Sequence, residues 1–130
     1  MNETYSAHEA KYNATGQYVA FSEGNTPSDF VWEWIVMADG NTWNITNGQT
    51  YVDINPIIYN KVSLSFLAIY DTAFAKNMSI YLEKVSPEPT NGYYDGADFN
   101  ANSANAIVLG SVGGNTNGLI LAAARYALLH

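Results

Sequence analysis

The sequence predicts an all-β sandwich. Two observations carry that prediction: apolar residues alternate with polar ones at period two, and turn residues separate these runs at short, regular spacing. Phe30, Trp32, Trp34 and Val36 would share one face of a strand, opposite Asp29, Val31, Glu33 and Ile35. Met78, Ile80 and Leu82 would share a face opposite Ser79, Tyr81 and Glu83.

Taken in order, residues 1–15 read as a polar N-terminal arm. The sandwich then occupies residues 16–85, opening on a strand with Val19 and Phe21 facing one way and Tyr18, Ala20 and Ser22 the other. Asn47-Gly48 lies between Trp43-Asn44-Ile45-Thr46 and Gln49-Thr50-Tyr51-Val52. Asn-Gly accepts the positive φ angles of a two-residue hairpin turn. From Val62 to Asp71, Val62, Leu64 and Phe66 would point inward and Ser63 and Ser65 outward, but Leu67 and Ile69 fall on the opposite phase. A β-bulge near Phe66-Leu67 restores inward pointing; burial of both faces is the alternative. The expected core is Trp32, Trp34, Val62, Leu64, Ile80 and Leu82.

Several of these residues also resemble a known family. Trp32 and Trp34 leading to Asp39-Gly40, then Tyr59, then Val62 and Leu64 closing on Asp71, with Gly16 to Ser22 as an opening strand, resemble a polycystic-kidney-disease (PKD) type domain. The resemblance covers about residues 16–85. It implies an immunoglobulin-like sandwich that serves as a spacer or interaction module on a cell or virion surface, with no active site.

Residues 86–130 read as a C-terminal extension. Pro87 and Pro89 mark its start, and from Phe99 to His130 Arg125 is the one residue of the Asp, Glu, Lys and Arg class. Ala106 to Leu109 reads as a short strand, and Leu119 to Leu129, rich in Ala and Leu, as a short helix. So uncharged a stretch is expected either to complete the domain's own core or to dock on a neighbouring subunit through Ile107, Val108, Leu109, Leu119, Ile120 and Leu121.

Composition narrows the function. Hydrophobic residues make up 48% of the chain and charged ones 13%, which excludes a disordered segment. Neutral polar residues and ten Tyr take the place of charge, a composition suited to extracellular or virion-surface proteins. The net charge of −7 denies phosphate backbones and anionic lipid the cations they need. There is no Cys, so disulfides and thiolate chemistry are excluded. No apolar stretch is long enough to span a membrane. Met1 is followed by polar Asn2-Glu3-Thr4 and not by a basic and apolar leader.

Candidate chemistry is sparse. Asp95, Asp98 and Asn100, with Asn102 nearby, place hard oxygen ligands at short spacing, and calcium is the cation they would hold. The same residues serve as ordinary turn formers, and no other cofactor is implied. Asp39, Asp53 and Asp71 could gather at one end of a sandwich. Asn2, Asn13, Asn44 and Asn77 begin glycosylation sequons. Tyr70, Tyr81, Tyr93 and Tyr94 could stack on sugars of surface glycans. His8 and His130 sit near the termini, away from any nucleophile motif, and the glycine loop Gly113 to Gly118 lacks the lysine that follows in phosphate-binding loops. The expectation is therefore a non-enzymatic structural protein of an extracellular assembly. A virion decoration or capsid-associated protein is favoured, with a cell-surface filament or surface-layer subunit and a carbohydrate-binding module as alternatives. Its partners would be other subunits, its own copies or a capsid or surface lattice.

Overall fold

The computed structural model describes residues 2–26, 30–31, 35–36, 44–47, 50–51, 56–85, 91–99, 107–109 and 113–130. Four helices dominate it: α1 (Asn2–Thr15), α2 (Asn60–Tyr70), α3 (Ala73–Val85) and α4 (Gly114–Leu129). The strands are short: β1 (Gly24–Asn25), β2 (Phe30–Val31), β3 (Ile35–Val36), β4 (Asn44–Asn47), β5 (Thr50–Tyr51), β6 (Ile57–Tyr59), β7 (Gly96–Asp98) and β8 (Ile107–Leu109). They pair antiparallel as β1-β2, β3-β4-β5 and β6-β7-β8.

The all-β, immunoglobulin-like sandwich is overturned by this arrangement. Two of its expected strands, Val62 to Asp71 and Met78 to Glu83, are helical. The physical reason lies in the pattern itself. No Gly or Pro interrupts residues 60 to 85, and the apolar residues recur at helical spacing. In α3 the buried residues include Ala75, Met78, Ser79 and Leu82, a stripe at i, i+3, i+4 and i+7. Ile80 and Leu82, paired on one face in the strand reading, lie about 200° apart on a helix. Leu82 is 1% exposed and Ile80 51%.

The phase break at Phe66-Leu67 has the same origin. It is a helical turn, and no bulge is needed. Val62 and Leu64 are half-buried, while Ser63, expected to face outward, is fully buried, with its hydroxyl 2.9 Å from that of Ser79 where α2 meets α3. Asp71 ends α2 in the left-handed conformation (φ 47°), its N–H donating to Leu67 O. Thr72 then caps α3, its Oγ1 accepting the Ala75 N–H. Trp32 and Trp34 lie outside the described residues. The hairpin expected at Asn47-Gly48 has its flanking pair at Asn47↔Thr50, one residue later along the chain.

The segment read as an N-terminal arm is helix α1. Tyr5, His8 and Tyr12 form its inner stripe at i, i+3 and i+7, and Tyr5 stacks on Tyr70 (centroids 4.1 Å apart) and meets Phe66 edge-on at 5.3 Å. Gly16, at φ 69°, closes the helix by donating its N–H to Tyr12 O. His8 is fully buried. Its Nε2 accepts the Phe21 N–H at 2.9 Å, so Nδ1 carries the proton and donates to Thr4 O at 2.7 Å. One neutral ring thus ties α1 to the chain that follows it.

At the centre, β6 runs between Ala20 and β7. Ala20 N–H donates to Ile57 O and Tyr59 N–H to Ala20 O, and Ile58 pairs with Ala97 on the other side. Side chains alternate about this strand and divide the core in two. Ile58 packs with Tyr5, Ala20, Phe66, Phe74, Met78, Leu82, Ala97 and Phe99. Ile57 and Tyr59 pack with Val19, Phe21 and Leu109.

Two predictions follow from these contacts. Burial lowers the His8 pKa from 6.5 to about 4. Between those values the unfolded chain binds a proton that the folded one refuses. Stability is therefore full above about pH 6.5 and falls as pH drops toward 4. The His8 share is about 3 kcal/mol. Urea melts of wild type and His8→Gln across this range should differ in pH dependence by that amount; parallel curves would refute the assignment. Separately, a Cβ at Gly96 would lie 2.1 Å from Ile58 O. Gly96→Ala should cost at least about 3 kcal/mol in thermal or urea unfolding, since the obstructing atom is backbone.

Candidate functional site

Where β6 runs into α2, the chain gathers polar side chains from four distant segments. Tyr59, at the end of β6, is 1% exposed. Its ring lies against Gly24, where a Cβ would stand 2.7 Å from Cε1, so β1 can cross it only as glycine. The Tyr59 hydroxyl donates to Asn25 O at 2.8 Å. Asn25 Nδ2 donates to Asp95 Oδ2 at 2.7 Å, and Thr116 Oγ1, in the first turn of α4, donates to Asp95 Oδ1 at 2.7 Å. The Asn60 N–H donates to Asp95 O.

The loop that carries Asp95 is itself clamped. Asn117 Oδ1 accepts the Tyr93 N–H, while its Nδ2 donates to Tyr93 O and Gly113 O. Gly92, at φ 126°, allows this approach, because a Cβ there would meet Asn117 Oδ1 at 2.7 Å. Burial, reinforced by the negative charges of Asp95 and Asp98, pushes the Tyr59 phenol above its ordinary pKa. It therefore stays a protonated donor through the physiological range.

Lys61, the second residue of α2, is 7% exposed. Its ammonium donates to Asn115 Oδ1 at 3.3 Å and sits 5.9 Å from the Tyr59 ring centroid. A cleft of about 340 Å³ opens beside it, bounded by β1, Phe30, Tyr59, Lys61, Asp95 and the first turn of α4. Glu23 stands at its exposed rim.

The residues singled out from sequence are scattered over this framework. Asp95 is central to it. Asp98 is buried at the end of β7, and Asn100 and Asn102 lie outside the described residues, as do Asp39 and Asp53. Among the described residues no group of three or more His, Asp or Glu side chains is placed to hold a metal. Asp71 is exposed and paired with Lys76 at 2.9 Å, a contact worth little at the surface. Leu109 is buried in the chain's own core, whereas Leu119 is 45% and Leu121 71% exposed and Ile120 half-buried. For Ile107 and Val108 only the β8 backbone is described. Asn13 and Asn77 are exposed on α1 and α3; Asn2 lies in α1 and Asn44 in β4.

Tyr70, Tyr81, Tyr93 and Tyr94 do not form one platform. Tyr70 stacks on Tyr5 and Tyr81 on Phe99, while Tyr93 and Tyr94 are half-buried in the clamped loop. Sequence reasoning missed Asn25, Lys61 and Thr116. The glycine segment 113–118, expected as a loop, is instead the N-cap and first turn of α4; it does meet a lysine, but one 54 residues upstream of Asn115. A lone lysine at the head of the largely apolar stretch 62–70 was the available signal.

Over residues 1–129 the chain matches the model of a family described as a protein of unknown function (DUF3131), and it belongs to that family. No curated protein and no solved structure matches it. The segment that resembles a PKD domain lies inside the matched span; of its motif strands, Val62 to Tyr70 is helical, while Trp32, Trp34, Asp39 and Gly40 lie outside the described residues. No described helix is long and apolar enough to cross a membrane.

The Asp95 network makes a direct prediction. Thr116→Val keeps the side-chain volume but removes the buried donor to a carboxylate, which should lower stability by about 1.5–3 kcal/mol. A melt shifted by less than about 0.5 kcal/mol would show that the hydroxyl does not hold Asp95.

Proposed function

We propose that the chain is a non-catalytic structural module of a larger extracellular protein assembly, seated on a neighbouring subunit through α4. One observation carries this reading: beyond its polar first turn α4 is apolar apart from Arg125, yet among the described residues it is covered on one face. Thr116, Ile120 and Ala123 form the inward stripe at i, i+4 and i+7, running along α2. Away from it stand Leu121 at 71%, Leu128 at 86% and Leu129 at 67% exposure, with Leu119 and Tyr126 near half.

A helix apolar all round is one that protein normally surrounds. Each leucine removed from water contributes about 1.5–3 kcal/mol before association costs are subtracted. The occupant that fits is α4 of a second copy. The helix carries no acidic residue, so the net charge of −7 does not accumulate at such a contact. A twofold pairing would use the same surface on both chains. An extracellular or virion setting is supported by the low charge and the wealth of neutral polar residues. A decoration or surface-lattice role is the form this reading takes.

Sedimentation of the full chain from roughly 10 to 500 μM should show reversible self-association. Leu121→Lys with Leu128→Lys should abolish it and leave the unfolding temperature within about two degrees. A wild-type chain that remains monomeric throughout would overturn docking by α4 on its own copy.

A further inference from the structure

The cleft between β1, Tyr59 and the first turn of α4 has features that holding the fold does not require. Lys61, Asp95 and Thr116 are each more than nine-tenths buried, yet all three line an opening to solvent. Burying an ammonium and a carboxylate is costly, and the two are not paired with each other: Lys61 Nζ meets the Asn115 amide, and Asp95 meets Asn25 and Thr116.

The hydrogen-bonding capacity left over can be counted. The Lys61 ammonium has three N–H donors, and one reaches Asn115. Each Asp95 oxygen accepts one side-chain donor and retains a further lone pair. Asn115 and Glu23 add an amide and a carboxylate at the rim, and Phe30 and Tyr59 supply ring surface. Donors and acceptors therefore alternate beside aromatic faces. One cation and two carboxylates leave no excess of positive charge to hold an anion. The volume, about 340 Å³, lies at the small end of ligand sites.

We infer that this cleft binds a neutral polyhydroxylated ligand, about one or two pyranose rings in size. Ring hydroxyls would donate to Asp95 and Glu23 and accept from Lys61 and Asn115, and an apolar sugar face would lie against the aromatic wall. Such a ligand satisfies both halves of the lining, since each hydroxyl donates one hydrogen bond and accepts others. The ligand's source is either a free monosaccharide or one unit of a glycan chain. The inference stands apart from docking by α4, because it concerns the other end of that helix and can be read on the monomer.

Amide NMR of the full chain, titrated with the methyl glycosides of glucose, galactose and mannose and with their oligosaccharides, tests it. Saturable shifts confined to the amides of Gly24, Tyr59, Lys61, Asn115 and their neighbours are expected. Lys61→Met and Glu23→Gln should each weaken binding about tenfold or more, with Tyr81→Ala unchanged. Glu23 is exposed, so its variant keeps the test valid if the lysine variant fails to fold. Oligosaccharides binding at least about tenfold tighter than the monosaccharides would mark a glycan chain as the source, and equal binding a free sugar. No shifts with any sugar at about 20 mM would overturn the inference. So would shifts elsewhere, affinity unchanged in both variants, or a response to inorganic phosphate in place of sugar.

Discussion

The structure depends first on three residues that have no access to water. Ile57, Ile58 and Tyr59 are each 1% exposed or less. A strand so placed must satisfy its backbone on both edges, because an unpaired buried amide costs as much as a lost hydrogen bond. Ala20 provides one edge and β7 the other. Gly96 lets β7 come close enough to do so. Because side chains alternate about a strand, this single element feeds both apolar clusters and sets the helices on one side and Leu109 on the other. The chain then turns directly from Tyr59 into α2, so the position of Lys61 follows from that of β6.

The polar network is the second consequence of that placement. Tyr59 leaves the strand with its hydroxyl in a buried region, where it needs an acceptor, and the backbone of Asn25 supplies one. The Asn25 side chain is then turned toward Asp95, and Thr116 closes the set from α4. A carboxylate held by two side-chain donors beside a helix N-terminus is well compensated for its burial. Such a network fixes β1, the 91–95 loop and α4 in one geometry, and a ligand arriving there would find its partners already oriented.

Much of this was hidden from sequence reasoning for identifiable reasons. In Val62-Ser63-Leu64-Ser65-Phe66, serines fall between apolar residues by chance at period two, and five residues are too few to separate a strand from a helix. The conflict at Leu67 and Ile69 was the informative sign; a helix absorbs it without an added bulge. In α1, Tyr5, His8 and Tyr12 lie at helical spacing, but Glu, Asn, Thr and Lys around them mask a stripe that is aromatic and not aliphatic. Asp95 was legible through its short spacing to Asp98 and Asn100, though not the partners it takes, Asn25 and Thr116. Lys61 and Asn115 were not, since their meeting depends on how α2 and α4 pack.

Helix α4 joins the two proposed surfaces. Its first turn is polar and tied down: Thr116 to Asp95, Asn117 to Tyr93, Asn115 to Lys61. Its remaining turns are apolar apart from Arg125 and, among the described elements, pack chiefly along α2. The change falls at Gly118, just before Leu119. Interiors resist continuous deformation, so a helix held at one end to the rest of the chain by four side-chain hydrogen bonds moves as a unit or hardly at all. A surface packed along its apolar turns would therefore bear on the cleft wall through a stiff lever. The Lys61–Asn115 contact, at 3.3 Å the longest of those bonds, is where such a load would first be felt.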